Sequence, residues 1–253
     1  MAEGDTVLRM ARAIARAMRG VVVDEVESPN PRGRSGGLER LAGRELERVE
    51  ARGKNLLLGF GELTLHSHLG MNGSWQVYRR GERWRKPRVA AWAVLRAEQV
   101  EAVQFGGPTL RVLREGALRR DPVLARLGPD LLAPGFELAD SIPLLRAAAD
   151  RELGDLLLDQ SKVAGIGNIF KSEACFVARI DPWRRVAELD DDELGLVLRS
   201  ARELMLAAVE SGRHPHNVYR RAGWPCLRCG GRIRSRGQGD DNRTTYWCPG
   251  CQR

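Results

Sequence analysis

Four cysteines near the C-terminal end constrain this chain more than any other feature. They form two pairs, Cys226–Cys229 and Cys248–Cys251, with two residues inside each pair and 18 residues between the pairs. Thiolates with this spacing can close a tetrahedral metal site, with each pair on its own turn. A closed site of four thiolates has no open position for a substrate. The pattern therefore predicts one structural Zn²⁺ and a β-hairpin module built around it.

The segment that contains these cysteines is strongly basic. Residues 213–253 hold nine arginines against only Asp240 and Asp241, a net charge of +7. Four thiolates on Zn²⁺ subtract two, which leaves roughly +5 in a small module. Such a module suits contact with nucleic acid. A second interpretation, in which zinc substitutes for a hydrophobic core, applies at the same time.

The whole chain shows the same charge bias. Its net charge is +8 and its pI is about 9.8, and its 41 basic residues less four lysines leave 37 arginines. Arginine binds phosphate in a bidentate manner, so this balance favours a nucleic-acid partner. There is no apolar run of transmembrane length and no signal-peptide pattern. We expect a cytoplasmic bacterial protein, associated with the nucleoid and not with a membrane.

The hydrophobic periodicity changes along the chain. A helical face over residues 6–19 is followed by strand-like runs to about Arg114. A segment rich in glycine and proline then precedes a helical region, with helices expected at 142–159, 168–178 and 190–210. We predict an α+β multidomain protein. The expected divisions are an N-terminal β-domain at 1–125, a linker at 126–140, a helical domain at 141–212 and a zinc module at 213–253.

The stretch DQSKVAGIGNIFKSE, from Asp159 to Glu173, stands at the centre of the helical region. An apolar run ends at its start, glycines at 165 and 167 permit tight turns, and a second apolar pattern follows. The stretch therefore predicts a helix, two turns and a helix. Backbone N–H groups at such a turn can bind a phosphate, although an ordinary helical hairpin also explains the pattern.

This stretch resembles the helix–two-turns–helix element of the formamidopyrimidine-DNA glycosylase/endonuclease VIII family. The four cysteines, the extreme N-terminus and the Arg52–Asn55 stretch match further motifs, in the order of the family and over nearly the whole chain. The resemblance implies an N-terminal β-sandwich with flanking helices and a helical domain, with DNA in a basic cleft between them. It also implies that Gly167, Asn168 and Lys171 contact the DNA backbone.

The N-terminus, Met1-Ala2-Glu3, carries the catalytic groups that the resemblance implies. Met1 would be removed, and the α-amine of Ala2 would form a Schiff base with the sugar C1′. An α-amine titrates near 7.7–8 and so has a useful neutral fraction at physiological pH. Glu3 would act as general acid, although without the resemblance it would be taken for a surface residue. The family normally has proline at position 2, so Ala2 is a departure from its pattern.

Other positions complete the implied site. Lys54 matches the family's hairpin lysine, which contacts phosphate and assists elimination, and Arg243 matches the arginine at its zinc-finger tip. Met71 would fill the gap left by the everted nucleotide, because a flexible thioether can offset part of the cost of flipping. The family's arginine–phenylalanine pair is missing from residues 104–111, where Leu110 is the candidate substitute.

The function implied is base-excision repair by a bifunctional DNA glycosylase and AP lyase, working as a monomer on damaged DNA. Residues 211–218 are too few for the loop that covers oxidised guanine in some members, so we expect a preference for oxidised pyrimidines. One alternative is a non-catalytic or abasic-site-restricted damaged-DNA-binding protein on the same scaffold. Another, a zinc-ribbon adaptor, explains nothing before residue 213.

Overall fold

The computed structural model describes residues 2–253, so Met1 lies outside the described residues. The chain divides into two compact units, one ending at Ala125 and the other beginning at Arg126. Each unit has a hydrophobic core of its own. Over residues 2–253, no helix combines the length and the apolar character needed to cross a membrane.

The first unit begins with a helix, continues through ten strands and ends with two short helices. In chain order the elements are α1 (Gly4–Met18), β1 (Val22–Val23), β2 (Glu25–Glu27), β3 (Arg44–Glu45), β4 (Arg48–Arg52), β5 (Asn55–Phe60), β6 (Leu63–His68), β7 (Ser74–Arg79), β8 (Ala91–Ala97), β9 (Val100–Phe105), β10 (Thr109–Arg114), α2 (Glu115–Arg119) and α3 (Pro122–Ala125).

Two antiparallel sheets of four strands build this unit, in the orders β10-β6-β5-β4 and β2-β8-β9-β7. Alternate residues of the strands point inward, among them Leu56, Leu58 and Leu65 from one sheet and Leu95 from the other. The helix α1 adds its apolar face to the same core and packs against β4, β5 and β7. The predicted β-sandwich with flanking helices is confirmed.

The second unit consists of helices followed by a β-hairpin. Its elements are α4 (Leu138–Arg146), α5 (Leu153–Leu156), α6 (Asn168–Ala178), α7 (Asp191–Ser211), β11 (Arg234–Gln238) and β12 (Arg243–Trp247). Within the segment predicted as a linker, Leu131 is fully buried in the helical core, and its amide donates to the carbonyl of Ala164. The finer domain divisions stay predictions.

The prediction of one helix over 142–159 is wrong. The chain leaves the helical path after Arg146, and the amides of Leu153 and Gly154 donate to the carbonyls of Arg184 and Pro182. The backbone here pairs with a distant segment, so its hydrogen bonds are not available to a continuous helix. The predicted helix at 190–210 is found as α7, where Asp190 and Glu193 form a reciprocal capping box.

Candidate functional site

The N-terminal residues lie at the start of α1. Ala2 is half-buried and packs against the core of the first unit. Glu3 occupies the position just before the helix and is 0% exposed. The interpretation of Glu3 as an ordinary surface residue is therefore wrong. Removal of Met1 concerns a residue outside the described part of the chain.

Lys54 lies at the tip of a tight hairpin between β4 and β5. The turn has only two residues, Gly53 and Lys54, and Gly53 adopts a φ of +56°, which suits glycine. The side-chain amide of Asn55 donates to the carbonyl of Arg52 at 3.2 Å and closes the turn. The sequence Arg-Gly-Lys-Asn thereby places a half-buried lysine at the end of the sheet.

Two histidines share the face of β6 that begins beside this turn. Nε2 of His66 lies 2.9 Å from Oδ1 of Asn55. Because the amide nitrogen of Asn55 is committed to Arg52, its oxygen must accept, so Nε2 of His66 carries the proton. Burial, together with the charge of Arg111, lowers the pKa of His66 to about 4. This imidazole is neutral at physiological pH.

His68 lies beside the candidate site residue Lys54, and sequence reasoning did not single it out. It lies directly opposite Asn55 in the sheet. Burial lowers its pKa, and the charge of Lys54 lowers it further. His68 therefore places a neutral imidazole next to the ammonium of Lys54. The sequence signal for His68 is its separation from His66 by two positions, which puts both histidines on one face of a strand.

Met71 lies in a short loop directly after β6. The amide of Gly73 donates to the carbonyl of Leu69 at 2.9 Å and closes the loop around it. Gly70 has a φ of +59° and lies against Pro108. The Met71 side chain is 59% exposed, which fits a residue that inserts into a ligand better than a packing residue.

Leu110, the candidate substitute for the missing arginine–phenylalanine pair, lies in a strand and is half-buried; its role stays a prediction. The turn between β9 and β10 consists of Gly106, Gly107 and Pro108 alone, and Leu110 lies beyond it, inside β10 and opposite Ser67. Its side chain packs against the core. A Cβ on Gly107 would lie 2.7 Å from the carbonyl oxygen of His68, so the turn has no room for a larger residue at this position.

The segment between α5 and α6 contains the two predicted turns. The side chain of Gln160 accepts from the amide of Gly165 at 3.0 Å and donates to the carbonyl of Ile166 at 3.0 Å. Gly165 has a φ of +104°. Gly167 is the N-cap of α6, so the helix begins at Asn168, and its first-turn N–H groups lie at these turns.

Two residues predicted to contact DNA from α6 are turned toward the hairpin of the same unit. The Asn168 amide nitrogen donates to the carbonyl of Thr244 at 2.8 Å. Lys171 is fully buried, and its ammonium donates to the Thr245 hydroxyl at 2.6 Å. A direct phosphate contact by Lys171 is therefore wrong, because its charge lies inside the protein. Asn168 keeps its backbone N–H in the first turn of the helix.

The four cysteine sulfurs lie within 4.8 Å of one another. Sγ of Cys226 is 3.8 Å from that of Cys251, and Sγ of Cys229 is 3.5 Å from that of Cys248. A tetrahedral ion with Zn–S bonds of about 2.3 Å sets its sulfurs about 3.8 Å apart. Burial alone would raise the pKa of Cys226, but the amides of Arg228 and Cys229 lower it to about 7. The cluster fits one metal ion.

Arg243 lies at the far end of the hairpin from the cysteines. It begins β12 and pairs with Gln238, across a tip that includes Gly239 and Asn242, both with positive φ. Its side chain is 43% exposed, with Nε 3.8 Å from a carboxylate oxygen of Asp241. The hairpin therefore presents an arginine to solvent at its tip.

Comparison with known proteins agrees with this arrangement. Residues 1–108 match the formamidopyrimidine-DNA glycosylase N-terminal domain, and residues 127–219 match the formamidopyrimidine-DNA glycosylase H2TH domain. "Probable endonuclease 8 2" of Streptomyces coelicolor is 40% identical, with 100% of this chain and 94% of that protein covered. The "DNA-(apurinic or apyrimidinic site) lyase Nei2" of Mycolicibacterium smegmatis is 36% identical, with 100% and 99% covered.

Among solved structures, Lactococcus lactis Fpg in complex with DNA containing an abasic site has the same fold. The TM-score is 0.84 at 23% identity, with 99% of each chain covered. The match spans both units and includes the β-sandwich and the helical region described above. By its domain matches and its relatives, this chain belongs to the formamidopyrimidine-DNA glycosylase family.

Proposed function

We propose that this protein is a bifunctional DNA glycosylase and AP lyase that removes oxidised bases from the bacterial chromosome in the cytoplasm. The observation that supports this proposal most directly is the burial of Glu3. This residue directly follows Ala2 at the start of α1 and is 0% exposed. A buried carboxyl group beside the α-amine that removal of Met1 would create places a proton donor next to a nucleophile, a combination that assists departure of a leaving group. The names of the relatives support the same reaction.

The proposed reaction begins once Met1 has been removed. The neutral α-amine of Ala2 attacks the sugar C1′, a C–N bond forms, and the bond from C1′ to the base breaks. Glu3 supplies the proton that the leaving base or the ring oxygen needs. The C1′–O4′ bond then breaks, the ring oxygen takes up a proton, and the nitrogen lone pair forms a protonated imine with C1′. This cation draws electrons from C2′, so loss of a C2′ proton and breakage of the C3′–O bond expel the 3′-phosphate and cleave the strand.

Lys54 is the proposed partner of the phosphate that leaves. Its ammonium lies at a hairpin tip beside the neutral imidazole of His68, which adds a hydrogen-bond donor without a competing charge. Arg243 at the zinc hairpin and the first-turn N–H groups of α6, after Gly167, are proposed to hold phosphates near the lesion. Met71 is proposed to fill the space left by the extruded nucleotide.

We assign the four-cysteine cluster to one structural Zn²⁺, held by Cys226, Cys229, Cys248 and Cys251. Thiolate donors at these separations suit zinc. The ion cross-links the two turns and takes no part in the reaction. Its role is to fix the hairpin whose tip carries Arg243. The monomeric state stays a prediction.

The preference for oxidised pyrimidines rests on the connection after α7. The carboxylate of Glu173 accepts from the amides of Asn217, Val218 and Tyr219 at 3.0, 3.0 and 2.8 Å. The short connection is therefore held against α6 and has no residues to extend over a purine. Efficient release of 8-oxoguanine opposite cytosine would contradict this preference.

Borohydride reduction in the presence of abasic-site DNA tests the proposal. We expect a covalent protein–DNA adduct that maps to residue 2 by mass spectrometry and is absent when Met1 or a tag blocks the amine. Glu3→Gln should slow base release roughly 10²–10⁴-fold, the range for a positioned acid. Tight binding without any adduct would favour the second candidate, a damage-binding protein, to which Ala2 in place of proline points.

A further inference from the structure

The loop that joins β7 to β8 is the most basic surface segment of the first unit. Residues 79–88, RRGERWRKPR, contain six arginines or lysines and one acid, Glu82. Neither the nucleophile nor the wedge residue lies in this segment. Its charge therefore needs an explanation of its own.

Most acidic side chains near the loop already form ion pairs with Arg80, Arg88 or Arg96. Arg80 lies 2.8 Å from Asp24, and Arg88 lies 2.5 Å from Glu27. The buried Arg96 forms an ion pair with Glu101 at 2.9 Å and further ion pairs with Glu25 and Glu27. These carboxylates are already in ion pairs with Arg80, Arg88 and Arg96, so they contribute little to neutralising the other cations of the loop.

The loop backbone is held in place by its inward-facing side chains. The indole N–H of Trp84 donates to Glu101 at 2.6 Å, and its ring packs against Tyr78 and Phe105. The amide of Arg85 donates to the Tyr78 hydroxyl at 3.1 Å. A loop fixed in this way presents its outward side chains with little conformational freedom left to lose on binding.

Arg83 and Arg85 are the outward side chains. Both are exposed, and within residues 2–253 neither guanidinium has an ion-pair partner at 4 Å or less. They line a cavity of about 460 Å³ together with Arg9 from α1. Glu82 lines it as well, and its carboxylate accepts from the amide of Arg79 at 3.1 Å. Three cations against one acid leave this groove positive.

The same loop extends to the tip that carries Met71. Lys86 lines a second cavity, of about 490 Å³, with Met71 and Arg32. Its ammonium lies 3.4 Å from the Ser74 hydroxyl and 5.4 Å from the centre of the Phe105 ring. Arg32, Lys86, Arg85, Arg83 and Arg9 thus form one basic track, which starts beside Met71 and runs to the second turn of α1.

We propose that this basic track binds the phosphate backbone of DNA flanking the lesion and lengthens the stretch of DNA that the enzyme contacts. This inference rests on the proposed role of Met71, which places the lesion at the Met71 end of the track. Arginines without protein partners suit phosphates, which they bind in a bidentate manner. DNA is favoured over an acidic peptide because the track begins beside Met71, the residue proposed to enter the DNA at the lesion.

The test compares the Arg83→Ser/Arg85→Ser double variant with the wild-type protein on nested duplexes of 9, 15, 25 and 40 base pairs. Each duplex carries a central tetrahydrofuran abasic analogue, and fluorescence anisotropy gives the affinity at several salt concentrations. Each phosphate contact contributes about 0.9 to the slope of log K against log salt. We expect the variant's slope to be smaller by about 1–2 on the longest duplex, and equal to the wild-type slope on the shortest.

Two further variants keep this test decisive. Arg83→Lys/Arg85→Lys should retain most of the slope, because the charges remain. Arg119→Ser removes an exposed arginine that is paired with Glu115 in α2, and should leave the slope unchanged at every length. Equal slopes for the serine double variant and wild type on all duplexes would overturn the proposal. So would loss of binding to a polyglutamate peptide in that variant without any effect on DNA.

Borohydride trapping on the 40-base-pair duplex separates this inference from the proposed function. A normal adduct together with equal slopes would refute the track alone. A length-dependent loss of slope without any adduct would support the track and count against the chemistry at Ala2.

Discussion

The ammonium of Lys171 lies 2.6 Å from the hydroxyl oxygen of Thr245, and both side chains are fully buried. The Thr245 hydroxyl donates in turn to Gln238 at 2.6 Å, and the amide nitrogen of Gln238 donates to Glu152 at 2.9 Å. This chain of hydrogen bonds joins α6, both strands of the metal hairpin and the residue before α5. The hairpin and the helix–two-turns–helix are therefore one hydrogen-bonded assembly.

Removing the metal should disturb more than the hairpin. Structural zinc contributes about 10 kcal/mol or more to modules of this size, so Cys248→Ser or chelation should unfold residues 226–251. Lys171 would then lose Thr245 and remain a buried charge with fewer partners, which is costly. We expect weaker DNA binding while the β-sandwich stays folded, as measured by anisotropy and circular dichroism. Full affinity in metal-free protein would contradict the assignment.

Lys54→Ala should weaken DNA binding and slow strand cleavage. The loss of one phosphate contact should reduce the slope of log K against log salt by about 0.9. The turn itself should survive, because Gly53 and Asn55 define it. Arg52→Ala, an exposed arginine at the end of β4, is the matched control. A normal slope and normal cleavage in Lys54→Ala would remove this residue from the site.

Met71→Ala should impair excision of a paired damaged base more than cleavage at a preformed abasic site. Extrusion of a base costs a few kcal/mol, and an abasic site has no base to unstack. Because Met71 is 59% exposed, its truncation should not affect thermal stability. Equal losses of rate on both substrates would show that Met71 does not act as a wedge.

The neutral state of His66 should make stability pH-dependent. Its pKa is about 4 in the folded protein against 6.5 for the free side chain, so the unfolded chain binds more protons between these values. Stability is complete above about pH 6.5 and falls as the pH drops toward about 4, by at most about 3 kcal/mol. In His66→Gln, the free energy of unfolding measured with urea should differ less between pH 7 and pH 4.5 than it does in the wild-type protein. An unchanged pH dependence would mean that other groups cause it.

Replacing the nucleophile should change the pH dependence of the lyase step. A proline at position 2 would form a permanently charged iminium, whereas the imine of Ala2 must be protonated before it can draw electrons. Ala2→Pro should therefore keep or increase strand cleavage and extend it to higher pH. The measurement is the cleavage rate of abasic-site DNA from pH 6 to 9. Identical profiles for the two proteins would exclude imine protonation as the limiting feature.

Local patterns predicted most of the fold. The strands β5, β6, β7, β8 and β9 and the helices α1, α6 and α7 follow from alternation, apolar faces and capping residues. The break after Arg146 could not be predicted, because it depends on hydrogen bonds to the carbonyls of Pro182 and Arg184, about 30 residues away. The sequence does not indicate the strand β4, because its charged residues alternate with only Val49 and Ala51 and the apolar pattern is weak.

The candidate site, like the fold, could be predicted only where its features depend on residues that are close together in the sequence. The spacing of the cysteines and the two-residue turn at Lys54 are local, so the sequence indicates both. The burial of Lys171 depends on Thr245, 74 positions later, and no local pattern shows whether a lysine in an amphipathic helix faces solvent or a partner. The location of Leu110 inside β10 depends on where the turn of residues 106–108 ends, which no local pattern marks.

The turn of Gly106, Gly107 and Pro108 limits what the end of the β9–β10 hairpin can offer to a ligand. Its two glycines have no side chain, and the side-chain amide of Gln104 donates to the carbonyl of Gly106. The tip therefore presents backbone groups and a proline ring, and no side chain that could form a hydrogen bond with a particular base.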